Sequence, residues 1–278
     1  MAGYVQIKDL PLVDTVMSTD QFVLQRADGI LYKILGSSLI TNIAEVVGEV
    51  VNPVEPTNYP GLLGWYQPSG LVSTGYSWAS WTDSSGNGRD LVSYGQVSMR
   101  SINGLPAIGN GGGINGLRME RTSTGTEFTS SSYTFVTVLR GGVGDYAVRA
   151  STPDGSYIGQ GYGGSPAVVI FRARDSNGLT ILANAGSCDD AVIVVSTLNA
   201  NTGMFTTYMN GKTYPSPHVT WKSTQSFQGT LKIGAYNSVT SDDAIAESFV
   251  YDSVRSNHEI NNLCQKLATK FALTWINI

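Results

Sequence analysis

Residues 204–271 set down, in order, two strands joined by a tight turn, two further strands and one closing helix, an order that few folds share. Met204, Thr206 and Tyr208 alternate with Phe205, Thr207 and Met209, and β-branched or aromatic types dominate the run. The run ends at Asn210-Gly211-Lys212, and Asn-Gly supplies the two positive-φ residues that a two-residue type I′ hairpin requires. Thr230-Leu231-Lys232-Ile233 and Ile245-Ala246-Glu247-Ser248-Phe249-Val250-Tyr251 read as the next two strands. Ser256 then stands three residues before Glu259, the spacing of a capping box that satisfies two orphan amides at a helix start. Ile260, Leu263, Cys264, Leu267 and Phe271 recur at helical intervals, making one apolar stripe to lay on a sheet. A helix used in that way packs and carries no site.

The chain has 278 residues, 32 of them glycine and 14 tyrosine, and only 14% are charged. That describes a turn-rich β domain of roughly 200–250 residues with a small appendage. A net charge of −4 is of the wrong sign for a protein that tracks phosphates, so nucleic acid is not an expected partner. Met1 to Asp9 lack a basic stretch followed by an apolar core, and no apolar run approaches the roughly 18 residues of a membrane span. A soluble chain without an export signal or membrane insertion is expected. Cys188 falls in a small-residue loop and Cys264 on the helical stripe, where a free cysteine behaves as a small hydrophobe and no disulfide is expected.

Residues 52–61 hold three of the ten prolines and are expected to form an extended, semi-rigid linker. They divide an N-terminal segment, 1–51, from a head, 62–278. Within the segment, Ile7 to Leu12, Gln21 to Gln25 and Ile30 to Leu35 read as short extended pieces, with a turn at Asp28-Gly29. Gly36-Ser37-Ser38 opens a helix in which Ile40, Ile43, Val47 and Val50 follow at spacings of three, four and three. That is a heptad seam too short to be stable alone, since isolated helices under about 12–15 residues are marginal. β-Branched residues at every seam position favour assemblies above the dimer, and a homotrimer is expected. The alternative is that the stripe folds back onto the short strands of its own chain.

Ile7-Lys8-Asp9-Leu10-Pro11, Asp20-Gln21-Phe22-Val23-Leu24, Gly29, Tyr32-Lys33-Ile34 and Ser37 to Leu39 resemble the leader of bacteriophage tail-fibre and virion-appendage proteins. The resemblance covers residues 5–50 and implies an element that attaches to other virion proteins and trimerises ahead of a distal head. The head resembles the concanavalin A/laminin-G-like jelly roll. The likeness rests on Gly64-Trp65-Tyr66, Trp78, Trp81-Thr82-Asp83-Ser84-Ser85-Gly86-Asn87-Gly88, Asn103-Gly104-Leu105-Pro106-Ala107 and Ile245 to Asp252. Together they imply a mainly β chain: a short N-terminal attachment segment and helix, then a jelly-roll β-sandwich with a C-terminal helix. Such a chain is expected in a virion, as a phage tail fibre or receptor-binding protein whose head recognises a host-surface glycan or receptor. A capsid decoration or head-fibre protein, and a polysaccharide-processing enzyme on the same fold, are the alternatives.

Catalysis is not expected. A retaining glycosidase needs two carboxylates about 5–5.5 Å apart, and no strand here carries alternate acids. Glu247 and Asp252 are five residues apart, which places them on opposite faces of a continuous strand. His218 and His258 join no nucleophile set. Asp189-Asp190 and Asp242-Asp243 are the best oxygen-rich candidates for calcium, but without ligand spacing they read as solvated loops, so neither metal nor cofactor is expected. Gly109 to Gly113 have no lysine behind them and do not make a phosphate loop. Asp83 to Gly88 read as a compact turn. The binding candidates lie between Arg140 and Arg174, where Gly-rich turns alternate with Tyr146, Arg149, Asp154, Tyr157 and Tyr162. Flat aromatic faces beside a few polar groups suit sugar recognition.

Overall fold

The computed structural model describes residues 21–25, 31–35, 54–94, 97–110, 119–121, 132–141, 148–151, 157–163, 168–174, 180–199, 202, 204–215, 230–234 and 243–278. The chain divides into two compact units, Met1–Pro53 and Val54–Ile278. In the first, β1 (Gln21–Gln25) pairs antiparallel with β2 (Leu31–Leu35), as the extended pieces predict. The helix expected over 38–50, with Ile40, Ile43, Val47 and Val50, lies outside the described residues, as do Ile7 to Leu12 and the Asp28-Gly29 turn.

The second unit is built from β3 (Leu62–Ser73), β4 (Trp78–Asp83), β5 (Leu91–Ser93), β6 (Val97–Ile102), β7 (Leu105–Asn110), β8 (Met119–Glu120) and β9 (Tyr133–Arg140). It continues with β10 (Val148–Ser151), β11 (Tyr157–Gly163), β12 (Val168–Arg174), β13 (Thr180–Ser187), β14 (Val192–Asn199) and β15 (Met204–Met209). β16 (Lys212–Pro215), β17 (Thr230–Ile233), β18 (Ala244–Tyr251) and the helix α1 (Asn257–Phe271) complete it. One antiparallel path runs β13-β12-β11-β10-β17-β8-β5-β4-β3-β18-β9-β14-β15-β16, with the β6–β7 hairpin attached to β18. The path curls until its two ends meet. A Cβ added at Gly186 in β13 would come within 2.9 Å of Met209 and 3.0 Å of Tyr214, from β15 and β16.

Two apolar cores hold three layers together. Between the sheets lie Tyr66, Trp81, Leu91, Met119, Phe135, Leu139, Ile158, Val169, Val194, Leu198, Leu231 and Ile233. Tyr66 and Trp81 meet edge to face, with centroids 5.9 Å apart, a contact worth about 0.5–1.5 kcal/mol beyond its area. Between one sheet and α1 lie Trp65, Val136, Val138, Ile193, Val195, Phe249, Tyr251 and the helical stripe Ile260, Leu263, Cys264, Leu267 and Phe271. β9, β14 and β18 are therefore covered on both faces, which is why β18 is buried at every position instead of alternating. The fold is a mainly β sandwich backed by one C-terminal helix, as expected from the sequence.

The helix begins as predicted. Ser256 accepts from the Glu259 amide and the Glu259 side chain accepts from the Ser256 amide, a cap worth about 1 kcal/mol. Its far end is held by two Asn-Gly turns. Asn103 (φ 47) and Gly104 (φ 84) join β6 to β7, and Asn210 (φ 51) and Gly211 (φ 85) join β15 to β16. Asn103 Nδ2 donates to the Phe271 carbonyl at 2.7 Å, filling one of the acceptors that a helix C-terminus leaves open. The Ile276 amide donates to the Asn210 carbonyl at 3.2 Å. The stretch 52–61, expected as an extended linker, is in its second half part of the head. Pro56–Asn58 form a 3-10 turn with Pro56 buried, Tyr251 Oη donates to the Pro56 carbonyl at 2.9 Å, and Val54 and Tyr59 pack on the helix-side core. Proline makes this strap stiff, and burial of its apolar rings docks it.

Candidate functional site

The residues singled out for binding fall on β10, β11 and the loops beside them. Tyr146 and Asp154 lie outside the described residues. Arg149, Tyr157 and Tyr162 have fixed places in the ladder, and side-chain alternation assigns each to a face. Ile158, Gln160 and Val169 are fully buried in the sandwich, so they mark the inner face of β11 and β12. Tyr162 is two residues from Gln160 and pairs with Val169, which puts position 162 on that inner face. Tyr157 takes the outer face. Arg149 pairs with Gly159 on one side and Lys232 on the other and is outer too. The register puts positions 149 and 157 on one face of the sheet and position 162 on the other.

Continuing the register shows what was not seen in the sequence. One cross-strand row reads Glu120, Lys232, Arg149, Gly159, Arg172 and Leu182 over β8, β17, β10, β11, β12 and β13. The next reads Thr230, Ser151, Tyr157, Arg174 and Thr180. Every charged residue of these six strands occupies an outer position. Lys232 Nζ sits 2.7 Å from Glu120 Oε1, and the pair is largely covered, with a quarter of the lysine side chain exposed and Glu120 buried.

The stretch Gly159-Gln160-Gly161-Tyr162-Gly163, expected as a Gly-rich turn, is strand. Its three glycines alternate, so all three fall on the same face of β11 as Tyr157, where Gly159 is buried. Glycine inside a strand marks a bulge, a tight bend or a close approach of another group. The available signal was the period of two in Gly159, Gly161 and Gly163, and in Arg172 and Arg174.

Elsewhere, most acids in the described residues serve the fold. Asp83 accepts from the Trp65 amide at 3.0 Å, the Ser85 amide at 2.9 Å, Ser85 Oγ at 2.8 Å and the Arg89 amide at 3.0 Å, so the Asp83 to Gly88 turn is a closed structural knot. Glu247 is buried under α1, where Trp65 Nε1 and Lys270 Nζ donate to its two oxygens at 2.8 and 2.5 Å. A register shift between Ile245 and Glu247 turns both Ala246 and Glu247 to the helix side. Asp252 lies just past the strand, its amide donating to the Gly61 carbonyl at 2.9 Å. Asp189 accepts from Ser187 Oγ at 2.7 Å. His258 is exposed, 3.1 Å from Asn262 Nδ2. Asp242 and His218 lie outside the described residues, and among the described residues no three His, Cys, Asp or Glu side chains group as metal ligands. No described helix is long and apolar enough to cross a membrane.

The sequence matches no protein-family model and no curated protein. By structure the chain is similar to the binding domain of botulinum neurotoxin serotype D, with TM-score 0.54 and 11% identity over 74% of this chain and 51% of that one. It is also similar to the binding domain of botulinum neurotoxin DC in complex with SialylT, with TM-score 0.52 and 15% identity over 75% of this chain and 52% of that one. Trypanosoma rangeli sialidase in complex with sialic acid gives TM-score 0.52 and 15% identity over 92% of this chain and 45% of that one. The chain spans about half the length of these proteins, and at such identities the likeness is one of fold.

Proposed function

We propose that residues 54–278 form a recognition head that presents its sandwich to a host-surface glycan or receptor, and that residues 1–51 attach it as a homotrimer to a virion, in the manner of a phage tail fibre. The observation that carries the recognition reading is the register of β10 and β11, which puts the Arg149 and Tyr157 positions on one face of the sheet. Folds similar to this one have been solved with sialic acid and with rat synaptotagmin II, which supports a sandwich used for glycan or receptor binding. Attachment and trimerisation rest on the leader resemblance and on the seam Ile40, Ile43, Val47 and Val50. A binding role rather than an enzymatic one is supported by Glu247, Asp83 and Glu120, each engaged in holding the fold.

Immunogold labelling of purified particles with antibody to the head should mark tail tips, and light scattering of the full chain should give a trimer. Label spread over the capsid would favour the decoration protein, and particles free of label would end the virion reading. Reducing-end release from laminarin or host polysaccharide, abolished in Glu247→Gln, would instead make the chain an enzyme.

A further inference from the structure

We propose that Lys270 of α1 and Gln67 of β3 become joined by an amide bond, formed within the chain itself with Glu247 of β18 carrying the protons. The three side chains meet between the sheet and the helix. Lys270 Nζ stands 2.5 Å from Glu247 Oε2 and 3.5 Å from Gln67 Oε1. The pairings Trp65↔Phe249 and Tyr66↔Ser248, continued by one residue, set Gln67 beside Glu247, and strand alternation puts Trp65 and Gln67 on the helix side together. Each partner of the lysine is held from behind. Trp65 Nε1 donates to Glu247 Oε1 at 2.8 Å. Gln67 Nε2 donates to Ser84 Oγ at 3.1 Å, which leaves the carbonyl end of that amide turned to Lys270.

The Glu247 side chain is 3% exposed and that of Lys270 28%. Burial penalises the charge on both groups, so the ion pair competes with its neutral form. Burial also holds Glu247 above the ordinary carboxylate range, the direction in which it takes a proton from Nζ and leaves the free amine, the reacting form of lysine. The amine lone pair then attacks Gln67 Cδ. Glu247 hands its proton to Nε2, which leaves as ammonia, and takes one of the two protons still on Nζ. The Nζ–Cδ bond is made, the Cδ–Nε2 bond is broken, and no oxidant or other reactant is consumed. Holding the two groups together replaces a bimolecular encounter, which for well-oriented groups equals a concentration of about 10⁵ M or more. The product ties β3 to the helix that backs the sandwich and closes a loop spanning 203 positions, and long closures restrict the unfolded chain most.

The test is intact-mass spectrometry of the full chain, folded and incubated at neutral pH, followed by tandem spectra of its digest. The mass should fall short of the sequence by one ammonia, and the peptides holding Gln67 and Lys270 should appear as one joined species. In a denaturing gel the parent, a closed loop, should run ahead of Lys270→Arg, whose side chain cannot form the amide. The turns Asn103-Gly104 and Asn210-Gly211 can lose the same ammonia as a succinimide, and that loss would persist in Lys270→Arg. Glu247→Met and Glu247→Asp, the second keeping an acid one methylene shorter, should both stay at full mass, since a positioned acid–base group is worth about a hundredfold or more. A folded parent at full mass overturns the proposal, as does an ammonia loss that survives Lys270→Arg. Complete amide formation in either folded Glu247 variant overturns the part given to the acid.

Discussion

Trp65 of β3 donates its indole N–H to Glu247 of β18 at 2.8 Å, across 182 residues of chain. The second carboxylate oxygen takes Lys270 of α1 at 2.5 Å, so one acid ties two central strands to the helix that backs them. Glu247 is 2% exposed, and burial outweighs the pull of Lys270 and the Trp65 hydrogen bond, raising its pKa above the ordinary 4.5. The folded chain then holds the proton more tightly than the unfolded chain. The stability tied to this group is fully present below about 4.5 and is lost as pH climbs through the raised folded value. Glu247→Gln should flatten that part of the profile. Chemical denaturation of both proteins from pH 4 to 8 gives the difference curve, and parallel curves would show that this carboxyl does not titrate differently on folding.

Gly104 and Gly211 share a left-handed backbone, with φ of 84° and 85°, but not surroundings. A Cβ at Gly104 meets nothing within 4 Å, whereas one at Gly211 runs into the Ile276 backbone. Gly104→Ala therefore isolates conformational strain, about 1–2 kcal/mol. Gly211→Ala should cost clearly more and release the C-terminal tail, seen as faster exchange of the Ile276 amide that donates to Asn210. Equal losses in the two variants would refute the docking of the tail on the hairpin.

What could be read in the sequence was local. The Asn210-Gly211 turn, the Ser256/Glu259 cap and the stripe from Ile260 to Phe271 each follow from residues within a few positions of one another, and each is present. What escaped depends on pairing between distant segments. Gly159, Gly161 and Gly163 carry the same local signal as turn glycines, and only their pairing with β10 and β12 makes them a strand. The register shift beside Glu247 is invisible for the same reason, since it exists only relative to β9. The basic row needed Lys232 to lie beside Arg149, 83 positions away in sequence, and no periodicity reports that.

Both cysteines are free and buried. Burial, with the nearby Asp189 charge, pushes the Cys188 thiol up to about 12, and burial alone raises Cys264 well above its usual range. Because the thiolate is the reacting form, native protein at pH 8 should leave Ellman's reagent unconsumed over minutes, and two thiols per chain should react in denaturant. Fast modification of one thiol in the native state would show that its region opens.

The sharpest test of the face assignment compares Tyr157 with Tyr162. They sit five residues apart on one strand, and the register gives 157 to the face of Arg149 and 162 to the face of Gln160 and Val169. Truncating an aromatic on the core face should cost about 3–5 kcal/mol, while an exposed outer-face change usually stays within about 0.5 kcal/mol. Tyr162→Ala should therefore lower the denaturation midpoint sharply, and any loss of binding in it should track the unfolded fraction. Tyr157→Ala should keep its stability and lose binding to host cells. If the two variants exchange these behaviours, the inner and outer faces of β11 are reversed. The recognition face would then have to be sought elsewhere on the sandwich.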